Sequence, residues 1–150
     1  MRLNQGTDYA LRILLYLGLT GERLVTIDEI AASYAISRDH VMKMVHRLGV
    51  LGFIETTRGR GGGIRLARDP EDIGVGEVVR AIEPGFHLVE CLRPGQSECR
   101  IEGGCQLKGI LQEACAAFLE VLDRYTLQDL LSSRRRLRTL LGTATPHTAA

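Results

Sequence analysis

Three amphipathic helical segments in the first fifty residues, a glycine-rich hairpin directly behind them and a long apolar stripe after Cys105 predict a mainly α fold with a small β-hairpin wing. That combination is a winged helix-turn-helix carrying a long dimerisation helix. The 150 residues suffice for one compact domain, or for a small helix-turn-helix unit with an appended oligomerisation helix. With 45% apolar and 25% charged residues, the composition excludes a disordered or fibrous chain. No stretch approaches the roughly 18 uninterrupted apolar residues of a membrane span. The first residues, Met1 to Thr7, lack the charged, apolar, small order of a signal peptide. A cytoplasmic location is therefore expected.

Asn4 to Leu19 sets Leu11, Leu14, Leu15 and Leu19 at helical spacing. Thr26 and Glu29 have the spacing of a capping box, in which hydroxyl and carboxylate satisfy each other's orphan amides, so a short helix to about Tyr34 is expected. After a break around Ala35, Ser37 is a good N-cap for a third helix. Its residues Val41, Met44, Val45 and Leu48 share one face, and Gly49 and Gly52 end it. Phe53 to Thr57 and Ile64 to Ala67 alternate as strands, joined by Arg58-Gly-Arg-Gly-Gly-Gly63, whose glycines permit positive φ in a tight turn. Gly76 to Ile82 reads as a short helix and Pro84 to Gly104 as a cysteine-bearing loop. From Leu107 to Tyr125, the residues Ile110, Leu111, Ala114, Cys115, Phe118, Leu119 and Leu122 form one apolar stripe, long enough to pair with a partner helix. A last helix from Thr126 to Leu141 and a disordered tail from Thr143 complete the chain. The expected organisation is a DNA-binding unit over 1–83, a cysteine loop over 84–105, dimerisation and C-terminal helices over 106–141, and a tail over 142–150.

The net charge is only +1, yet Ser37 to Arg68 carries seven basic side chains against Asp39 and Glu55, and Asp69 to Arg124 carries five against eleven acids. A basic segment of +5 followed by an acidic one of −6 predicts that the first meets a polyanion. On the third helix, Asp39, Lys43 and His46 lie opposite the apolar face, and Arg38 sits in the first turn. In a helix-turn-helix the start of the second helix enters the major groove, where Arg or Lys donates to guanine edges and phosphates. Ser37, Arg38 and Lys43 are the candidate contacts. Asp39 shares their face, where a carboxylate fits only by accepting from a cytosine amine. Arg58 and Arg60 flank the hairpin glycine and suit a narrow minor groove, whose negative potential draws guanidinium groups.

Cys91, Cys99 and Cys105 fall within one Gly/Pro-rich loop, an arrangement foreign to a disulfide framework in a reducing cytosol. Three thiolates suit a soft metal. Zinc sites usually show a closer cysteine pair, so an iron–sulphur cluster is preferred over zinc, with free thiols as the third reading. Candidates for a fourth ligand are His87, Cys115, a carboxylate or an exogenous group. Cys115 lies on the apolar stripe, where a cysteine ordinarily packs as a small hydrophobe.

The opening Met1-Arg-Leu, Thr7-Asp-Tyr-Ala-Leu-Arg12, Ile36-Ser-Arg-Asp-His40, the Arg58–Gly63 wing and the cysteine triplet together resemble the nitric-oxide-sensing repressors of the Rrf-type family of winged-helix iron–sulphur regulators. The resemblance runs from Met1 to about Leu130. It implies a homodimer joined through the long helix, binding two-fold symmetric operator DNA, with Cys91, Cys99 and Cys105 on an iron–sulphur cluster, 4Fe–4S rather than 2Fe–2S. It also implies that the partner subunit's Asp8 completes the ligand set; on the residues alone, Asp8 is simply an acid at a helix N-terminus. The branch that reports iron–sulphur status typically has a histidine soon after its third cysteine, whereas Gln106, Leu107 and Lys108 stand here. The first cysteine gap is longer than in several relatives, and Asp39 replaces a frequent Asn. Alternatives within the same fold are a regulator of iron–sulphur status and a clusterless thiol or zinc regulator. An enzyme such as a thiol oxidoreductase is a distant reading, since no C-x-x-C pair, Ser/His/Asp set or phosphate loop is present.

Overall fold

The computed structural model describes residues 3–85, 87–93, 95 and 97–143. Helix α1 (Gln5–Thr20) is started by Asn4, whose side chain accepts from the Thr7 amide at 2.8 Å. Ala10, Ile13, Leu14 and Leu17 recur at helical spacing and are fully buried, so α1 is the central post of the core. Against it pack Ile30 and Ala31 of α2 (Ile27–Tyr34) and Val41, Val45 and Leu48 of α3 (Arg38–Val50). Each Ile, Leu or Val side chain so withdrawn from water contributes about 1.5–3 kcal/mol.

The expected capping box before α2 is half made. Thr26 accepts from the Glu29 amide at 3.2 Å, but the Glu29 carboxylate turns away to Tyr16 and Arg23, because a charged hydrogen bond outcompetes a return to the backbone. Arg23 thereby holds the Glu29 carboxyl below its ordinary range. Ala35 takes a left-handed conformation (φ 52°) that swings the chain into α3 within three residues. Helix α3 runs through Gly49, and the reversal comes at Gly52 (φ 76°).

Strands β1 (Ile54–Thr57) and β2 (Gly63–Leu66) form the antiparallel wing, with Ile54 opposite Leu66 and Thr57 opposite Gly63. Val25 and Ile64 exchange backbone hydrogen bonds of 3.0 and 2.8 Å, so the connection before α2 pins the wing to the helical core. The chain then forms α4 (Val75–Ile82), the cysteine loop with two short 3₁₀ turns, α5 (Gln106–Asp123), α6 (Leu127–Leu130) and α7 (Arg134–Leu141).

Two expectations about the second half need correction. The single helix over Thr126 to Leu141 is two, because the chain turns at Leu131 to bury that side chain against α1, where a Cβ on Gly18 would stand 2.8 Å from Leu131 Cδ1. Arg138 then ties α7 back by donating to the Leu19 carbonyl at 2.6 and 3.1 Å. The apolar stripe of α5 is two faces. Leu111, Cys115, Phe118, Leu119 and Leu122 are buried or half-buried, whereas Ile110 and Ala114 join Leu107, Ala117 and Val121 on an exposed face. Docking on α4 decides this split, through the Arg80–Asp123 pair at 2.5 and 2.6 Å and the Val75 amide on the Tyr125 carbonyl. The tail is described only as far as Thr143; 144–150 lie outside the described residues.

Candidate DNA-binding face and cysteine site

The start of α3 is exposed from Ser37 to His40. Ser37 caps the helix: its hydroxyl accepts from the His40 amide and meets His40 Nδ1 at 2.8 Å. Such a cap is worth about 1 kcal/mol to the helix, so Ser37 orients this end as well as standing on it. Asp39, Met42, Lys43 and His46 project to solvent, as the helical period requires once Val41, Val45 and Leu48 are buried. Arg38 pairs with Asp28 of α2 at 2.8 Å, and both side chains are more than half exposed. An exposed pair of this kind is worth at most about 1 kcal/mol, so Arg38 can exchange the carboxylate for an outside anion.

At the wing tip Arg58 and Arg60 are exposed, and like Lys43 they have no ion-pair partner among the described residues. Most other cations of the unit, Arg12, Arg23, Arg65 and Arg68, are matched to carboxylates. Unpaired cations therefore remain on one helix, where Asp39 is also unpaired among the described residues, and on one hairpin tip. Gly59 and Gly61 have φ of 98° and 79°, a region closed to most side chains. A Cβ on Gly62 would stand 2.2 Å from the Thr57 carbonyl oxygen.

The loop between α4 and α5 brings Cys91, Cys99 and Cys105 to one cavity of about 410 Å³, whose other walls are Val89, Glu90, Ile101, Leu107, Lys108 and Leu111. None of the four cysteines is disulfide-bonded. Cys105 closes the loop as the residue before α5, and Cys91 lies in a 3₁₀ turn. Among the described residues no three His, Cys, Asp or Glu side chains converge on a single metal ion; the thiols stand at separate points of the cavity wall. Lys108 donates to Glu102 at 2.5 Å. That bond holds the ammonium above lysine's usual range, with smaller contributions from the Glu102 charge and from the Cys91 and Cys105 thiols. Sequence reasoning does not single out Lys108; its position one helical turn after Cys105 is the only signal.

The remaining ligand candidates are placed apart from this cavity. Cys115 is buried on the inner face of α5, His87 is exposed, and neither lines the cavity. Asp8 is on the first turn of α1, about half exposed, paired with Arg12 at 2.8 Å, and it too is absent from its own chain's cavity wall. Arg12 lies 6.0 Å from the ring of Tyr34, whose half-buried phenol is pushed up to about 12 by burial. Contacts of two residues tie the end of α4, which leads into the cysteine loop, to the rest of the unit. Glu83, the C-cap of α4, accepts from Thr7 Oγ1 at 2.5 Å and from the Asn4 amide at 3.3 Å; Thr7 adjoins Asp8 and is fully buried. Arg47 of α3 donates to the Ala81 carbonyl at 3.1 Å, two residues before Glu83. The C-terminal end of α4, from which the loop departs, is thus bonded to α1 through Glu83 and to the exposed helix α3 through Ala81.

The sequence profile of the Rrf2 family, described as "Iron-dependent Transcriptional regulator", matches residues 3–133. The chain is 50% identical over 143 residues to the HTH-type transcriptional regulator NsrR of Bacillus subtilis, covering 94% of this chain and 97% of that protein. It is 51% identical over 142 residues to NsrR of Geobacillus kaustophilus, covering 94% and 97%. Among solved structures, CymR, the global cysteine regulator of B. subtilis, superposes with a TM-score of 0.70 at 26% identity, over 89% of this chain and 98% of that one. IscR of T. potens superposes with a TM-score of 0.72 at 25% identity, over 89% and 88%. The winged helix-turn-helix expected from the sequence is therefore also the fold of these regulators, and the chain belongs to the Rrf2 family of transcriptional regulators.

Proposed function

We propose that this chain is a cytoplasmic, homodimeric DNA-binding repressor, not an enzyme, that senses nitric oxide through an iron–sulphur cluster on Cys91, Cys99 and Cys105. The observation that carries the reading is the cavity: three thiols from the loop that follows α4, whose end is bonded to both α1 and α3, share one largely apolar space. The donor set fits the group, since soft thiolates at separate wall positions suit a multi-iron cluster of the 4Fe–4S type. When bound, the cluster supplies iron that nitric oxide attacks. The partner subunit's Asp8 is the fourth ligand in this reading, in keeping with a half-exposed Asp8 that does not line its own chain's cavity. The exposed face of Leu107, Ile110, Ala114, Ala117 and Val121 has the three-and-four spacing of a helix–helix seam and supports the dimer.

Ser37, Arg38, Asp39 and Lys43 address the major groove and Arg58 and Arg60 the minor groove of operator DNA. Cys91, Cys99 and Cys105, while ligated, fix the loop; Glu83 and Arg47 pass its position to α1 and α3. Release of the thiols removes that constraint and changes the spacing of the two recognition helices. A hundredfold fall in operator affinity needs about 2.7 kcal/mol of coupling, within the usual allosteric range.

An anaerobic visible spectrum with iron and sulphide analysis, on the wild type and on Asp8→Ala, tests the assignment. A cluster signature that shifts in the variant is expected. A colourless, iron-free wild type after anaerobic reconstitution overturns the sensor, and an unshifted spectrum removes Asp8. Stoichiometric nitric oxide is expected to lower operator affinity of the loaded protein; unchanged affinity rejects the signal but not DNA binding. Gly62→Ala is expected to weaken operator binding about tenfold, about 1.4 kcal/mol, because its Cβ collides with the Thr57 carbonyl and opens the wing. Fluorescence anisotropy on an operator duplex measures it.

A further inference from the structure

We propose that Lys108 is the charge-balancing residue of the cysteine cavity and that Glu102 sets how much of its positive charge the cavity feels, an inference that rests on the cluster reading above. Lys108 is the single cation among the described residues that line the cavity, and it faces Cys91, Cys99 and Cys105 together with the carboxylate of Glu90. Val89, Ile101, Leu107 and Leu111 make the rest of the wall apolar. Ile101 and Leu107 are more than half exposed, so the ammonium acts on the thiols at short range and is screened by salt. The ammonium does not swing freely: its side chain is 28% exposed and Glu102 holds it at 2.5 Å. Glu102 belongs to the 3₁₀ turn that leads directly into Cys105, so the anchor of the ammonium and the thiol are carried by one short turn.

As ligands, the three cysteines would be thiolates and would concentrate negative charge in this space, and one-electron reduction of a bound cluster would add more. Charge near a cluster is one of the determinants of its reduction potential. Lys108 therefore favours the more negative state, and Glu102 opposes it. A plain structural ion pair would be worth little, and loss of either partner would act in the same direction. Charge balance requires opposite signs for the two partners.

The test uses full-length wild type, Lys108→Gln, Lys108→Arg and Glu102→Gln. In the cluster-free proteins, the rates at which Cys91 and Cys105 react with a dianionic aromatic disulfide and with a neutral pyridyl disulfide are followed by mass spectrometry. In both reactions the cysteine thiolate attacks a reagent sulphur, a mixed disulfide forms and the reagent's other half leaves as a thiolate. The anionic-to-neutral rate ratio is expected to fall about threefold in Lys108→Gln, to rise in Glu102→Gln and to be restored in Lys108→Arg, with all differences shrinking in 1 M salt. In the loaded proteins the midpoint potential is expected to drop in Lys108→Gln and to climb in Glu102→Gln. Unchanged ratios, or ratios moving the same way in both variants, overturn the proposal. A wild type that takes up no iron overturns the cluster reading alone, because the cluster-free ratio still decides the role of Lys108.

Discussion

Cys99→Ser is expected to leave the protein folded, to remove its cluster absorbance and to lower operator affinity about a hundredfold, about 2.7 kcal/mol. Cys99 is the exposed member of the triplet, and the exchange of a thiol for a hydroxyl is nearly isosteric, so the core around α1 is untouched. A hydroxyl is a poor ligand for iron that a thiolate suits. Without that ligand the loop keeps the Glu83 contacts at the end of α4, the Lys108–Glu102 bond and its junction with α5 at Cys105, but loses its tie at Cys99. The decisive control is the unloaded wild type, which should bind operator as weakly as the variant and melt at the same temperature. Retained absorbance would remove Cys99 from the ligand set. Lost absorbance with full operator affinity would separate the cluster from repression.

Arg58→Ala with Arg60→Ala is expected to weaken operator binding about thirtyfold, about 2 kcal/mol, and to reduce the steepness of its salt dependence by about two charges. Both side chains are exposed on the wing tip and without a described ion-pair partner, so their removal breaks nothing within the fold and the melting temperature should not change. Their free charge is the reason for the large effect. Arg38, by contrast, must first leave Asp28, and part of its gain on the DNA is offset. If the double variant keeps the wild-type salt slope, the wing does not reach phosphate or groove and the DNA face is confined to α3.

Local chemistry in the sequence determined the winged helix-turn-helix half of this protein. Periodic leucines, the Ser37 cap and the glycines of the wing act within a few residues of themselves, and α1, α2, α3 and the hairpin lie where those signals place them. Grouping of the three cysteines was legible for the same reason, since one short loop carries them all. Tertiary structure alone decided which face of α5 stays open, because α4 covers the other. It alone turned the chain at Leu131 to fill the space beside Gly18, paired Arg38 with Asp28, and bonded Glu83 to Thr7 across 76 positions. It also put Lys108 on the cavity wall. These features depend on partners distant along the chain, and a side chain's partner is chosen by packing after the local elements form; periodicity and caps carry no information about it.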